Sequence, residues 1–272
     1  MDWSTARERL ASPPFAPLAP ALARLDANRW PTHEEISAIA SCVVTSRGKA
    51  VRFVKPRVHT DRERRYYELH IAATGEIETR AANWHDLFNA LVWIAFPRAK
   101  AAINAQHAAI LEERAEAEAK RRSPERDALT VFDEGGVVVA SSSPDVFRLI
   151  ADFEWKELFW RRRGELEATT RFLAFGHALH EKFLDPFIGM VAKTVFVPVD
   201  AGFVSLDAEE QVRRADASLA SHFSNRAGFA SAKSMAPMPV LGVPGWHPST
   251  SGESFYDDPV HFRKARPKVA GR

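Results

Sequence analysis

The chain has a single cysteine among its 272 residues. Cys42 therefore has no intrachain disulfide partner, and multi-cysteine zinc sites and iron–sulfur clusters are excluded with it. Long hydrophobic runs are also missing. The longest, Leu87 to Phe96, is interrupted by Asn89 and is about half of the ~20 residues that a membrane helix needs. Asp2, Arg7, Glu8 and Arg9 break up the opening segment, where a secretion signal needs an uninterrupted apolar stretch. No Gly-x-Gly-x-x-Gly, Walker A or Gly-x-Ser-x-Gly sequence occurs, so the most legible phosphate cradles and the nucleophile elbow are absent. A large excess of one sign of charge is missing too, with a formal net of +2. These absences point to a soluble, reduced, cytoplasmic protein without a membrane partner, and leave its oligomeric state open.

What is present is an ordinary globular composition, 46% hydrophobic and 26% charged, in a chain long enough to bury a large core. Residues 1–31 form a proline-rich leader, with Pro13, Pro14, Pro17, Pro20 and Pro31. Thr32 with Glu35 three residues on is a capping box for a helix to about Ala40. Glycine-containing turns at Ser46–Lys49 and Ala73–Gly75 suggest two β-hairpins, and Asp133–Gly136 a third. Cys42 falls in the first of these as a small core residue. Asn83 caps the next helix, which Pro97 must break. "LEERAEAEAKRR" continues it, with the four-apart pairs Glu116/Lys120 and Glu118/Arg122. Ser143-Pro144 opens a helix to about Arg163, Gly164 separates it from another to Leu184, and "AKTVFVPV" is a strand. Asp207 with Glu210 caps a last helix to about Ser224. The expected fold class is α+β, with several β-hairpins packed against a cluster of α-helices in residues 32–236, and an irregular C-terminal arm over 237–272.

The blocks "NWHDLFNALVWIAFPRAKAAIN", "LTVFDEGGVVV", "FGHALHEKFLDP" and "PVLGVPGWHP…FYDDPVHFR" resemble those of a bacterial family called domain of unknown function 3025, over roughly Arg52 to Arg263. The resemblance implies no activity, cofactor or catalytic residue, so the side chains are taken on their own terms.

Lys100, Asn104 and His107 are spaced four and three apart on one helix stripe, and His85 and Asn89 share another. Such groups either satisfy one another in a helix–helix seam or, with Arg98, converge on a phosphate or carboxylate. In "GHALHEK", His177, His180 and Glu181 sit within about one turn. His177 and Glu181 could hold a divalent metal if a third ligand arrived from elsewhere, with His85 or Asp86 the first candidate and Asp133 or Glu134 behind it. The bland alternative is a hydrogen-bonded pair. As candidate catalytic residues the sequence offers His85, His177 and Glu181; as candidate substrate ligands, Arg98, Lys100, Asn104 and His107.

Charge is uneven along the chain. Ser46 to Arg65 holds eight basic residues against Asp61 and Glu63, a net of +6, so the remainder carries −4. With Phe53, Tyr66 and Tyr67 interleaved, Arg47, Lys49, Arg52, Lys55 and Arg57 suit a nucleic-acid or polyanion surface; equally, basic residues on an edge strand deter aggregation. "RRR" at 161–163 and "RKARPK" near the end are smaller clusters. Three functions compete on these grounds: an enzyme of hydrolytic or transfer chemistry on a small anionic substrate, possibly metal-assisted; a nucleic-acid-binding module; and a non-catalytic interaction protein.

Overall fold

The structure, a computed structural model, describes residues 2–113 and 123–264. The Glu116/Lys120 and Glu118/Arg122 pairs lie outside the described residues, as does part of the last basic cluster. In chain order the elements are α1 (Trp3–Leu10), α2 (Ala19–Leu22), α3 (His33–Ile39), β1 (Arg52–Val54), α4 (Asp61–Arg65), α5 (Tyr67–Thr74), β2 (Glu76–Glu78), α6 (Trp84–Ala95) and α7 (Pro97–Glu113). They continue with α8 (Pro124–Gly135), β3 (Gly136–Ser141), α9 (Pro144–Ala151), α10 (Arg163–Thr169), β4 (Thr170–Ala174), α11 (His177–Phe183), β5 (Val191–Pro198), α12 (Ala208–Ser224) and β6 (Pro237–Pro239). This is an α+β arrangement. One sheet has the order β4-β3-β5-β6. β3 lies parallel to β5 and antiparallel to β4, and all six of its residues are buried. A strand covered on both faces reads as a continuous apolar run rather than an alternating one, and Gly-Val-Val-Val-Ala does so. β1 and β2 form a separate parallel pair.

Several elements depart from the sequence reading. "YYELHIA" is mostly helix α5, and Gly75 at φ 76 is its left-handed cap rather than a hairpin turn. A glycine with positive φ serves either purpose, so local sequence could not separate them. Residues 124–135 are helix α8, running directly into β3. The signal was present: the Ser123 hydroxyl accepts the Arg126 N–H at 3.2 Å with Pro124 at the first helical position, the same Ser-Pro start used for α9. The long helices expected over 144–184 are broken by a π-turn at Glu157–Arg161 and by strand β4. Cys42 is exposed, because the pairing around it reduces to the bridge Val44–Ala50 and the turn at Gly48. The C-terminal arm contributes β6 and is tied down by Trp155 Nε1–H to the Arg263 carbonyl (2.8 Å), Arg163 to Tyr256 Oη (3.0 Å) and Lys156 to Asp257 (2.8 Å).

The caps at Thr32, Asn83 and Asp207 form as the sequence requires. Pro97 starts α7, since an N–H there would have no partner, and it drives Phe96 out of helical geometry (φ −126, ψ 58). The two following N–H groups are capped in trans. Asp216 on α12 accepts from Arg98 N at 3.2 Å and Ala99 N at 2.8 Å. Burial raises this carboxyl to about 6 despite the two donors. We expect Asp216→Ala to cost about 2 kcal/mol, the upper range for a lost cap, and Asp216→Asn, which keeps one acceptor oxygen, to recover part of it. Urea denaturation of the two variants checks this; a cost within 0.5 kcal/mol of zero (roughly the additivity error between sites) would mean that α12 does not hold the start of α7.

Candidate active site

Helices α4, α5, α6, α7, α8 and α11 enclose a cavity of about 300 Å³. Helical spacing explains which residues line it. Asn89 and Trp93 are four apart on α6; Lys100, Asn104 and His107 are one stripe of α7; Arg126, Thr130 and Asp133 are four and three apart on α8. Tyr67, Glu68 and Ile71 come from α5, Arg64 from α4 and His177 from α11. Close backbone approach sets the last of these. A Cβ on Gly176 would lie 2.4 Å from the Glu134 carbonyl oxygen, so glycine lets the start of α11 sit against the end of α8, bringing His177 to Asp133.

Lys100 is 4% exposed. Its ammonium donates to Asn89 Oδ1 at 2.9 Å and to Asp133 Oδ1, and lies 5.5 Å from the centroid of the Trp93 ring. An ammonium carries three donors, so one remains for a ligand. Asp133 Oδ2 faces His177 Nδ1 at 3.6 Å. Burial alone would raise the Asp133 carboxyl, but the Lys100 ammonium outweighs it and holds the group below its usual range. Beyond His177 the contacts continue outward. His177 Nε2 meets His85 Nε2 at 3.1 Å, and His85 Nδ1 meets Glu181 Oε2 at 3.1 Å. Burial lowers His177 to about 4, with Asp133 opposing, so the ring is neutral. On the other wall, Asn104 donates to Glu68 Oε2 at 2.7 Å and to the Glu68 carbonyl at 2.9 Å. Asn104 Oδ1, His107 Nδ1 and His177 Nδ1 are buried with no hydrogen-bond partner among the described residues.

Of the residues singled out from sequence, Lys100, Asn104, His107 and His177 line one cavity, and His85 and Glu181 adjoin His177. Arg98 does not join them. It lines a separate cavity with Arg213 and Asp216, because a residue two positions before Lys100 points about 200° away on a helix. His85, His177 and Glu181 form a line rather than a shell: each nitrogen of His85 is taken by a different neighbour. Among the described residues no group of three or more His, Cys, Asp or Glu side chains could hold a metal ion. Arg47 pairs with Glu112, Arg52 with Glu76, and Arg57 with Glu78. Phe53 is buried, and Tyr67 Oη accepts the Glu78 N–H, so neither ring is a free stacking platform. Glu68, Arg126 and Thr130 were missed from sequence, and Asp133 and Glu134 were placed on a turn. Had Ser123-Pro124 been read as a helix start, Arg126, Thr130 and Asp133 would have fallen on one face.

Comparison with known proteins adds a family. A model described as a protein of unknown function, DUF3025, matches residues 51–266. The chain belongs to this family. No curated protein and no solved structure matches it. The matched stretch contains every residue that lines the cavity, together with His85 and Glu181, whereas α1 to α3 precede it. No helix among the described residues is long and apolar enough to cross a membrane.

Buried neutral histidines make the fold acid-sensitive. His177, His180 and His261 are each lowered by burial to about 4 from 6.5. The unfolded chain takes up these protons first, so their contribution is intact above pH 6.5 and is lost as pH falls towards 4, by up to about 3 kcal/mol for each ring. Asp216, raised to about 6, acts oppositely over an overlapping range, but it is one group against three. The urea midpoint should therefore drop between pH 6.5 and 4, and His180→Phe should flatten that slope. A pH-independent midpoint would contradict the assignment. Separately, Gly176→Ala should destabilise by about 1–3 kcal/mol, as an overpacking change does, and should shift the His177 ring resonances; an unperturbed spectrum would show that α11 tolerates the methyl.

Proposed function

We propose that the chain is an enzyme of hydrolytic or transfer chemistry acting on a small substrate that carries an anionic group, with His177 as general base. One observation carries this: a neutral imidazole whose Nδ1 is buried, without a hydrogen-bond partner, and 3.6 Å from a carboxylate. At that distance the contact is not a hydrogen bond, so Nδ1 of the neutral ring stays open to a proton beside a carboxylate that would answer it. A proton arriving at Nδ1 converts two facing acceptors into a charge-assisted pair, so Asp133 stabilises the imidazolium as it forms. The remaining Lys100 donor, with Arg64 and Arg126 in the same lining, supplies positive charge for a phosphate or carboxylate. Glu68 and Glu134 in that lining favour a substrate that also has donors, such as hydroxyl or amino groups. The reading invokes no metal.

The test uses small phosphate and carboxylate esters as probes, followed by NMR for turnover and by melting temperature for binding. At least one should raise the melting temperature, by about 2.7 kcal/mol of stabilisation at a hundred times its Kd. His177→Gln should cut turnover by about 10²–10⁴-fold while binding persists. Absence of both turnover and ligand-dependent stabilisation across the panel would refute the reading.

A further inference from the structure

We propose that His85 and Glu181 form a proton outlet, carrying to solvent the proton that His177 takes up; this rests on the assignment of His177 as the base. Exposure rises outward along the path, from His177 at 9% to His85 at 37% and Glu181 at 46%. With Glu181 ionised and both rings neutral, the contacts assign the protons. Glu181 is an acceptor, so His85 Nδ1 carries the hydrogen and donates to it at 3.1 Å. In neutral His85 the Nε2 is then a lone pair, which accepts from His177 Nε2–H across 3.1 Å. That leaves His177 Nδ1 unprotonated towards Asp133 Oδ2, 3.6 Å away. Between the two carboxylates run three contacts, and two neutral rings supply hydrogens for only two of them. The line is built to accept one more proton.

When that proton binds at His177 Nδ1, the hydrogen on Nε2 can pass along the existing N–H···N bond to His85 Nε2. His85 is then cationic between His177 and Glu181, and its Nδ1 hydrogen leaves to Glu181 or to water. One proton enters and one leaves, and both rings are left in the opposite tautomer. The starting ones return when His177 Nδ1 gives its proton to a leaving group, His177 Nε2 takes back the shared hydrogen and His85 Nδ1 takes a proton from water, and no oxidant or reductant takes part. The charged groups that face this path are Lys100 and Asp133 at the inner ring, Glu181 and Asp86 at the outer one, and Arg80 near both acids. A purely structural role does not require this geometry. An exposed His–Glu pair contributes about 0–1 kcal/mol, and any polar side chain at 85 would serve that end.

The experiment is histidine-selective nitrogen NMR on the full chain. In the wild type, His177 Nε2 should be protonated and His85 Nε2 unprotonated. Exchange of the His177 Nε2 hydrogen with water should slow by roughly tenfold or more in His85→Gln, which keeps bulk and polarity but cannot relay. In His85→Ala, free imidazole added to the solution should restore the wild-type exchange rate, a response that loss of packing would not show. Glu181→Gln leaves both rings in place and should slow exchange to a smaller extent. The reverse tautomers in the wild type, or unchanged exchange in His85→Gln with an otherwise native spectrum, would overturn the outlet. No substrate enters this measurement, so its failure would leave the ester-panel test of the base untouched.

Discussion

An ammonium group sealed inside a protein has to meet its counter-charge there, and Lys100 imposes that demand on the helices around it. Transfer of an isolated charge into an apolar interior costs far more than the 5–15 kcal/mol that stabilises a typical domain. The cost is contained because Asn89 from α6 and Asp133 from α8 reach the ammonium together, with the Trp93 face beside it. Three helices are thereby held in one register by one side chain. Removal of either partner strands a buried charge, typically a loss of about 3–5 kcal/mol. Replacement of the whole set by apolar residues could be neutral or stabilising, so the set is better explained by what it does for Asp133 than by what it adds to stability. Lys100 keeps Asp133 ionised, and an ionised Asp133 is what gives His177 Nδ1 somewhere to put a proton.

The rest of the architecture serves that placement. α7 carries Lys100, Asn104 and His107, and its start is held by Asp216 from α12. α8 ends in Gly135 and passes without a loop into β3, a fully buried strand, so Asp133 sits beside a helix–strand junction that no loop interrupts. Phe175 and Gly176 both donate to the Gly136 carbonyl, at 3.0 and 2.9 Å, which fixes the start of α11 to the same point. Precise side-chain geometry is better held by elements of this kind than by free loops. The described part of the C-terminal arm adds no residue to the cavity lining and is held instead against Trp155, Lys156 and Arg163.

Capping chemistry was the most legible part of the sequence. Thr32, Asn83 and Asp207 each determine a helix start through one side chain and one or two N–H groups, Pro97 through its fixed φ and missing N–H, and all four starts form here. The stripe on α7 was legible for the same reason, since four- and three-residue spacing is a property of the helix alone. Strands were less so. β1, β2 and β4 are three to five residues long, too short to show alternation, and whether "YYELHIA" became helix or strand depended on packing against α7, which no local window contains. Asp133 was placed near the site but on the wrong element, because Gly-Gly after an acidic pair marks a hairpin turn as well as it marks the end of a helix. The link between His85 and Glu181, ninety-six residues apart, has no local signature at all.

His177 and His180 show why burial and basicity do not by themselves identify a reactive histidine. They lie three residues apart on α11, both are buried, and burial lowers both to about 4. His180 stacks on Phe88 and tilts against Phe15, and its Nδ1 bonds the Gly176 carbonyl at 2.9 Å. A proton added there gains no carboxylate, so the ring stays neutral core. Sixty degrees around the helix, His177 has an ionised aspartate on one nitrogen and a second imidazole leading outward on the other. The same desolvation acts on both rings, and only His177 has both a carboxylate and a second imidazole beside it.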